Sequence, residues 1–209
     1  MGRKVSIGVL VSGNGSNLQS LIDRIEQGVL DADIKLVISN NPNAFSIERC
    51  RKHGIPFVVL DHRLFGSREL FDCRMIELLT AAGVELVVMA GFMRILSEDF
   101  FKAFPLRIMN IHPALLPAFP GTHVQKKALD YGVKFSGCTV HFADEGVDSG
   151  PIILQAVVPV LDDDNEESLS ARILKEEHRI YPLAVQYYAD GRIEVEGRKV
   201  RIRNSPLTK

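Results

Sequence analysis

The chain has 209 residues and 46% of them are hydrophobic, enough for one α/β domain that buries roughly 70% of its unfolded surface, which excludes disorder. Twenty-five Lys and Arg against 26 Asp and Glu leave a net charge of -1. No basic excess exists to grip a phosphate backbone by counterion release, so a nucleic-acid partner is not expected. From Val5 the run VSIGVLVS is almost continuously apolar and β-branched, as a strand covered on both faces reads. It ends in a glycine turn. The segment SNLQSLIDRIEQG then spaces Leu18, Leu21, Ile22 and Ile25 helically and closes on Gly28. The same unit repeats as a strand over Ile34–Ser39, a helix from about Phe45 to His53, a strand over Pro56–Leu60, a helix over Ser67–Ala82 and a strand over Glu85–Ala90. Such alternation predicts a parallel sheet with right-handed crossovers and helices on both faces.

Beyond Ala90 the pattern changes. The stretch GFMRILSEDFFKAF reads as a connection, followed by a short strand IMNIH over Ile108–His112 and by HPALLPAFPG, whose prolines and glycine forbid regular structure. A short helix is predicted near Val124–Tyr131. Two β-rich runs, FSGCTVHF and IILQAVVPV, follow closely enough to pair antiparallel across the acidic loop ADEGVDSG. The acidic stretch DDDNEES precedes a long amphipathic helix of about Leu169–Tyr188, its carboxylates suited to the positive end of the helix dipole. From Gly191 the tail reads as a hairpin, with IEV and VRI around Glu196-Gly197. No repeat, low-complexity linker or composition break divides the chain, so residues 1–209 are predicted to form a single domain.

Ser12–Asn17, SGNGSN, lies between the first strand and the first helix, where unpaired backbone N–H groups meet the positive end of a helix dipole. A dinucleotide fingerprint would need a third glycine where Leu18 stands and an acid where the second strand ends in Ser39-Asn40-Asn41, so a nicotinamide cofactor is disfavoured. The turn is read either as a phosphate cradle or as an ordinary strand-to-helix turn. Its position at the carboxyl end of a strand favours the first reading.

Asn110 and His112 are two apart on a strand and therefore project to one face, whereas their neighbours Ile108 and Ile111 are apolar. A satisfied core histidine beside a turn-capping asparagine is the plain explanation. Pro113, Pro117 and Pro120 weaken it, because they stiffen the backbone immediately after His112. The Asp144–Gly150 loop can deliver a carboxylate, although alone it reads as a solvated acidic loop. Arg68, Arg94, Lys175, Glu176 and Glu177 are further charged candidates, each alone more often surface than site. The other histidines, His141 among them, have no ligand spacing, and no metal is predicted.

Cys50, Cys73 and Cys138 are odd in number and lack metal-type spacing, which argues against a disulfide framework and for a reducing, cytoplasmic setting. No apolar run approaches the roughly 18 residues of a membrane span, and no cleavable signal is evident, so a membrane partner is not expected.

Taken in order and at their separations, SGNGSN, AGFMRIL, MNIHPALLPAFPG and HFADEGVDSGPIILQ closely resemble the phosphoribosylglycinamide formyltransferase family over nearly the whole chain. The Asn-x-His-Pro-x-Leu-Leu-Pro and Asp-x-Gly-Pro elements are specific to enzymes that handle 10-formyltetrahydrofolate. The resemblance implies a Rossmann-like formyltransferase fold, in which residues 1–90 hold the ribonucleotide phosphate, 91–190 bind folate and carry the chemistry, and 191–209 form a C-terminal hairpin. It implies a catalytic trio of Asn110, His112 and Asp148. It places the ribonucleotide on Gly15, Ser16 and Asn17 with Lys175, Glu176 and Glu177. The co-substrate 10-formyltetrahydrofolate would lie against Arg68, against Met93, Arg94, Ile95 and Leu96, and against the loop of Asp144, Glu145, Gly146, Val147 and Asp148, with Asn110 also in contact. One departure is Ala114, where many relatives carry serine; that serine is not among the expected catalytic groups.

The chemistry agrees with these roles. Formyl transfer to an amine passes through a tetrahedral intermediate whose oxygen turns negative and needs donors, which Asn110 and a protonated His112 supply. A carboxylate from Asp148 would keep His112 charged, and His112 would pass the proton from the attacking amine toward the leaving folate nitrogen. The rival reading is a 10-formyltetrahydrofolate deformylase, which sends the formyl group to water. That family carries an added N-terminal regulatory domain, whereas Val5 already opens the first strand here. A methionyl-tRNA formyltransferase would want a C-terminal domain and a basic face, and a non-catalytic binder would not require the trio. The expected partners are small molecules only, on a monomer or weak homodimer.

Overall fold

The first strand, β1 (Val5–Val11), is buried at every position except the half-buried Ser6, because it pairs in parallel on both edges, with β2 (Ala32–Ser39) and with β4 (Leu86–Met89). In this computed structural model residues 4–204 are described, in two compact units that meet in sequence between Asn110 and Ile111. Residues 205–209 of the expected tail lie outside the described residues.

In the first unit the strand order is β3-β2-β1-β4-β5, with β3 (Phe57–Val59) and β5 (Ile108–His112) at its ends and every pair parallel. Growth reverses between β1 and β4. With right-handed crossovers this puts α1 (Ser16–Glu26) and α2 (Ser46–Lys52) on one face, and α3 (Arg68–Ala81) and α4 (Glu98–Ala103) on the other. The reversal is also a topological switch point, and loops at the carboxyl ends of these strands form the place where ligands gather in such sheets.

Two elements of this unit are absent from the sequence expectation. The stretch after Ala90 is not all connection, since α4 forms within it with Glu98 and Asp99 in its first turn. A single 3₁₀ turn, His62–Leu64, follows β3, capped by the Asp61 carboxylate, which accepts from the Arg63 N–H at 3.0 Å.

In the second unit α5 (Val124–Tyr131) precedes β6 (Phe135–Phe142) and β7 (Ile152–Pro159), which pair antiparallel as expected. Their register shifts between Val140 and His141, the kind of irregularity that re-aims side chains beside sites. The long helix α6 (Glu166–Ala189) packs on both strands and starts three residues before Leu169. A capping box explains the early start: the Asn165 side chain accepts from the Ser168 N–H at 2.9 Å, and the Ser168 hydroxyl accepts from the Asn165 N–H at 3.1 Å. Glu166 and Glu167 thus sit inside the first turn. The tail closes as the hairpin of β8 (Ile193–Glu196) and β9 (Lys199–Ile202).

Candidate functional site

In the first unit the glycine turn leaves β1 and enters α1 through Gly15, the N-cap, which has φ +73° and makes no side-chain cap. A Cβ there would lie 2.6 Å from the Cβ of Ser46, so only glycine fits, and the first N–H groups of α1 have no side-chain acceptor at the cap. The turn is held by Arg49, whose Nε donates to the Asn14 carbonyl and whose Nη2 donates to the Asn14 side-chain oxygen, both at 2.9 Å. Ser16 is half-buried and Asn17 buried.

Beside this turn is a cavity of about 420 Å³, lined by Ser12, Asn40, Asn41, His62, Met93 and Arg94 among others. The segment after β4 forms part of its wall. The Met93 N–H donates to Ser12 Oγ at 2.9 Å. Met93 and Ile95 are exposed, Arg94 lies 5.4 Å from the centre of the Phe71 ring, and the Leu96 side chain is buried. Of the four, Leu96 therefore offers a ligand its backbone only. Arg68, at the start of α3, is exposed and ion-paired with Glu69 at 3.3 Å.

The second unit holds His112 and Asp148. His112 is the last residue of β5, and Asn110 leaves the same strand two positions earlier, on the same side. His112 is almost wholly buried. Its Nδ1 lies 3.3 Å from Asp148 Oδ2 and its Nε2 lies 2.9 Å from the Phe119 carbonyl. Both ring nitrogens face acceptors, and only the imidazolium can donate to both.

Asp148 is held in turn. Its Oδ2 accepts from the Gly121 N–H at 2.8 Å. Its backbone has φ +52°, a left-handed conformation that Asp tolerates better than most residues and one that often marks functional positions. The Asp144–Gly150 loop closes on itself, because Asp144 Oδ1 accepts from Ser149 Oγ at 2.6 Å and from the Gly146 N–H at 3.2 Å. Gly150 is required there, as a Cβ would come within 1.8 Å of the Phe142 carbonyl oxygen. Glu145 and Val147 point to solvent.

His141 was not among the sequence candidates. It is buried on β6 with Nε2 3.7 Å from Asp148 Oδ1, and Nδ1 3.0 Å from the Phe142 carbonyl. Burial pushes its pKa down, opposed by the Phe142 carbonyl and by the Asp148 charge. Asp148 thus has a histidine at each carboxylate oxygen. The sequence signal was faint: an inward histidine one residue from the end of an apolar strand.

Along α6, Lys175 is exposed, Glu176 is ion-paired with Arg179 at 2.6 Å, and Glu177 is buried. No group of three or more His, Cys, Asp or Glu that could hold a metal occurs among the described residues, and no helix among them is long and apolar enough to cross a membrane.

The family model described as formyl transferase matches residues 5–185. A phosphoribosylglycinamide formyltransferase of Escherichia coli is 44% identical over 191 residues, covering 91% of this chain and 90% of the relative. A trifunctional purine biosynthetic protein adenosine-3 of Drosophila melanogaster is 50% identical over 191 residues, but the chain spans only 14% of its length. Among solved structures, glycinamide ribonucleotide transformylase 1 from Symbiobacterium toebii is 50% identical, with a TM-score of 0.95 over 97% of this chain and 95% of that one.

Proposed function

The chain belongs to the formyl transferase family, and from that premise we propose that it transfers the formyl group of 10-formyltetrahydrofolate to the amine of glycinamide ribonucleotide in purine synthesis. The observation that carries this reading is the buried His112, with a carboxylate at one ring nitrogen and a carbonyl at the other. Such a histidine is preorganised to hold a positive charge where an oxyanion develops.

The amine nitrogen attacks the formyl carbon, a C–N bond forms, and the carbonyl oxygen takes the electron pair. Asn110 donates to that oxygen, and the Nε2–H of His112 donates to it in place of the Phe119 carbonyl. His112 gives its proton to N10 of the folate as the oxygen's electron pair re-forms the carbonyl and the C–N10 bond breaks, and it takes up the proton lost by the attacking nitrogen; formyl-glycinamide ribonucleotide and tetrahydrofolate leave. Asp148 opposes the His112 charge throughout, and His141 closes its far side. Proton transfer of this kind contributes about 10² to 10⁴ in rate.

Gly15, Ser16 and Asn17 are assigned to the ribonucleotide phosphate, supported by the uncapped start of α1. Lys175, Glu176 and Glu177 are assigned to the same substrate. Arg68, Met93, Arg94, Ile95, the Leu96 backbone and the Asp144–Asp148 loop are assigned to the folate. A cytoplasmic location belongs to the same reading and suits the buried free thiols Cys50 and Cys138.

The test is incubation with 10-formyltetrahydrofolate, with and without glycinamide ribonucleotide, following release of tetrahydrofolate. Turnover that requires the amine is expected. Equal turnover without it means that water is the acceptor and overturns the assignment in favour of a deformylase.

A further inference from the structure

Asp72 lies on α3, one residue after Phe71, and is 1% exposed. A carboxylate in such a place is costly unless it is hydrogen-bonded and charge-compensated. Its Oδ2 accepts from the backbone N–H of Ser97 at 2.5 Å. Ser97 is the residue that opens α4, so this contact pins the far end of the segment leaving β4. The near end is pinned separately: the Ser12 N–H donates to the Gly91 carbonyl at 3.1 Å, and Ser12 Oγ receives the Met93 N–H at 2.9 Å.

Between the two anchors Met93 and Ile95 stand out to solvent, while Arg94 turns back over Phe71, the neighbour of Asp72. A short segment with large apolar side chains facing water would ordinarily collapse onto the nearest apolar surface. Fixing both ends limits the conformations open to it, which reduces the ordering cost that binding would otherwise impose. The charge on Asp72 is offset only in part. Burial pushes its carboxyl up, against the opposing effects of the Ser97 N–H, then the Ser97 side chain, then Arg68 and Arg94. Arg68 and Arg94, both assigned to the folate, thus lie within the electrostatic reach of one buried carboxyl.

We propose that Asp72 is a positioning residue for the co-substrate: it holds the Met93–Leu96 segment in its binding conformation through Ser97, without touching the folate. This rests on the reading of that segment as part of the folate site, which nothing in the position of Asp72 itself requires. A residue that merely supported the fold would lower stability and leave the two substrates equally affected. A positioning residue acts on one of them.

The experiment measures binding of 10-formyltetrahydrofolate by calorimetry without the amine substrate, together with the KM of each substrate and exchange of the Ser97 amide. In Asp72→Ala the folate Kd and KM are expected to rise about ten-fold, with the ribonucleotide KM and kcat within two-fold of the parent and faster exchange at Ser97. Asp72→Asn, which keeps an acceptor of the same shape, is expected to recover most of the affinity. Should Asp72→Ala not fold, Asp72→Ser, a smaller change that still withdraws the carboxylate from the Ser97 N–H, is expected to weaken the folate selectively by three- to ten-fold.

Unchanged folate affinity in these variants, or equal loss for both substrates, overturns the proposal. Tighter folate binding in Asp72→Asn overturns it too, by showing that the carboxylate competes for Arg68 and Arg94 instead of holding the segment. If the parent protein binds no 10-formyltetrahydrofolate at all, the functional reading fails, and this inference falls with it.

Discussion

Replacing Asp148 by Asn isolates what its charge does. Asn is nearly isosteric, it is among the residues most tolerant of the left-handed backbone at φ +52°, and its amide oxygen can still accept the Gly121 N–H. What is lost is the negative charge 3.3 Å from His112 Nδ1. At an effective dielectric of about 20 that separation corresponds to about 5 kcal/mol of gross attraction. Desolvation offsets part of it, and charge-assisted hydrogen bonds typically retain about 1.5 to 3 kcal/mol. If the imidazolium is needed in the transition state, losing about 3 kcal/mol lowers kcat by about two powers of ten. The assay is steady-state formyl transfer with both substrates saturating, alongside a thermal melt. A fall in kcat of about 100-fold is expected, with a midpoint within a few degrees of the parent. Turnover within three-fold of the parent refutes the role given to the Asp148 charge.

Other expectations test separate parts of the molecule. His141 has a folded pKa pushed below its ordinary 6.5 by burial, so the unfolded chain takes up a proton first as pH falls. The stability that neutral His141 contributes is therefore complete above about 6.5 and is lost as pH drops toward the lowered folded value. In His141→Gln the melting temperature between pH 8 and 5 should fall less steeply than in the parent; parallel curves would reject this. Gly15→Ala meets both the positive φ and the Ser46 contact at 2.6 Å, and should cost about 1 to 3 kcal/mol in stability while raising the ribonucleotide KM and leaving folate affinity unchanged. A shift confined to the folate would contradict the phosphate assignment. Burial pushes the Cys50 thiol up to about 11 and the Cys138 thiol up to about 12, whereas Cys73 is exposed. Iodoacetamide should therefore label Cys73 alone until denaturant is added, as mass spectrometry of tryptic peptides would read.

Much of the fold was legible because its signals are local. The apolar runs of β1, β5 and β6 and the helical spacing of α1 lie within stretches of five to eleven residues, and each reports its own element. α4 escaped because six residues give too short a period. Its start, Ser97 followed by Glu98 and Asp99, is nevertheless a capping signature, and the Asp72 contact with the Ser97 N–H is a tertiary one. The start of α6 lay hidden in an acidic stretch that reads equally as loop, until the reciprocal bonds of Asn165 and Ser168 are seen. Of the site, Asn110 and His112 were legible as a pair because strand alternation places i and i+2 on one face. His141 was not: one more inward side chain on an apolar strand carries no local mark of what it will meet.

The sequence by itself determined which residue types were available, their order along the chain, and the faces on which neighbours within one element lie, since all of these follow from covalent spacing and helix or strand period. Only the tertiary structure decided that the Asp148 carboxylate reaches a backbone N–H 27 residues away at Gly121 and stands between His112 and His141. That meeting depends on the pairing register of β6 and β7, its shift at His141, and a loop turned by a left-handed residue. Each is settled by packing between segments distant in sequence, where close approach and the exclusion of water, absent from any short window of residues, give a histidine and a carboxylate their chemical meaning.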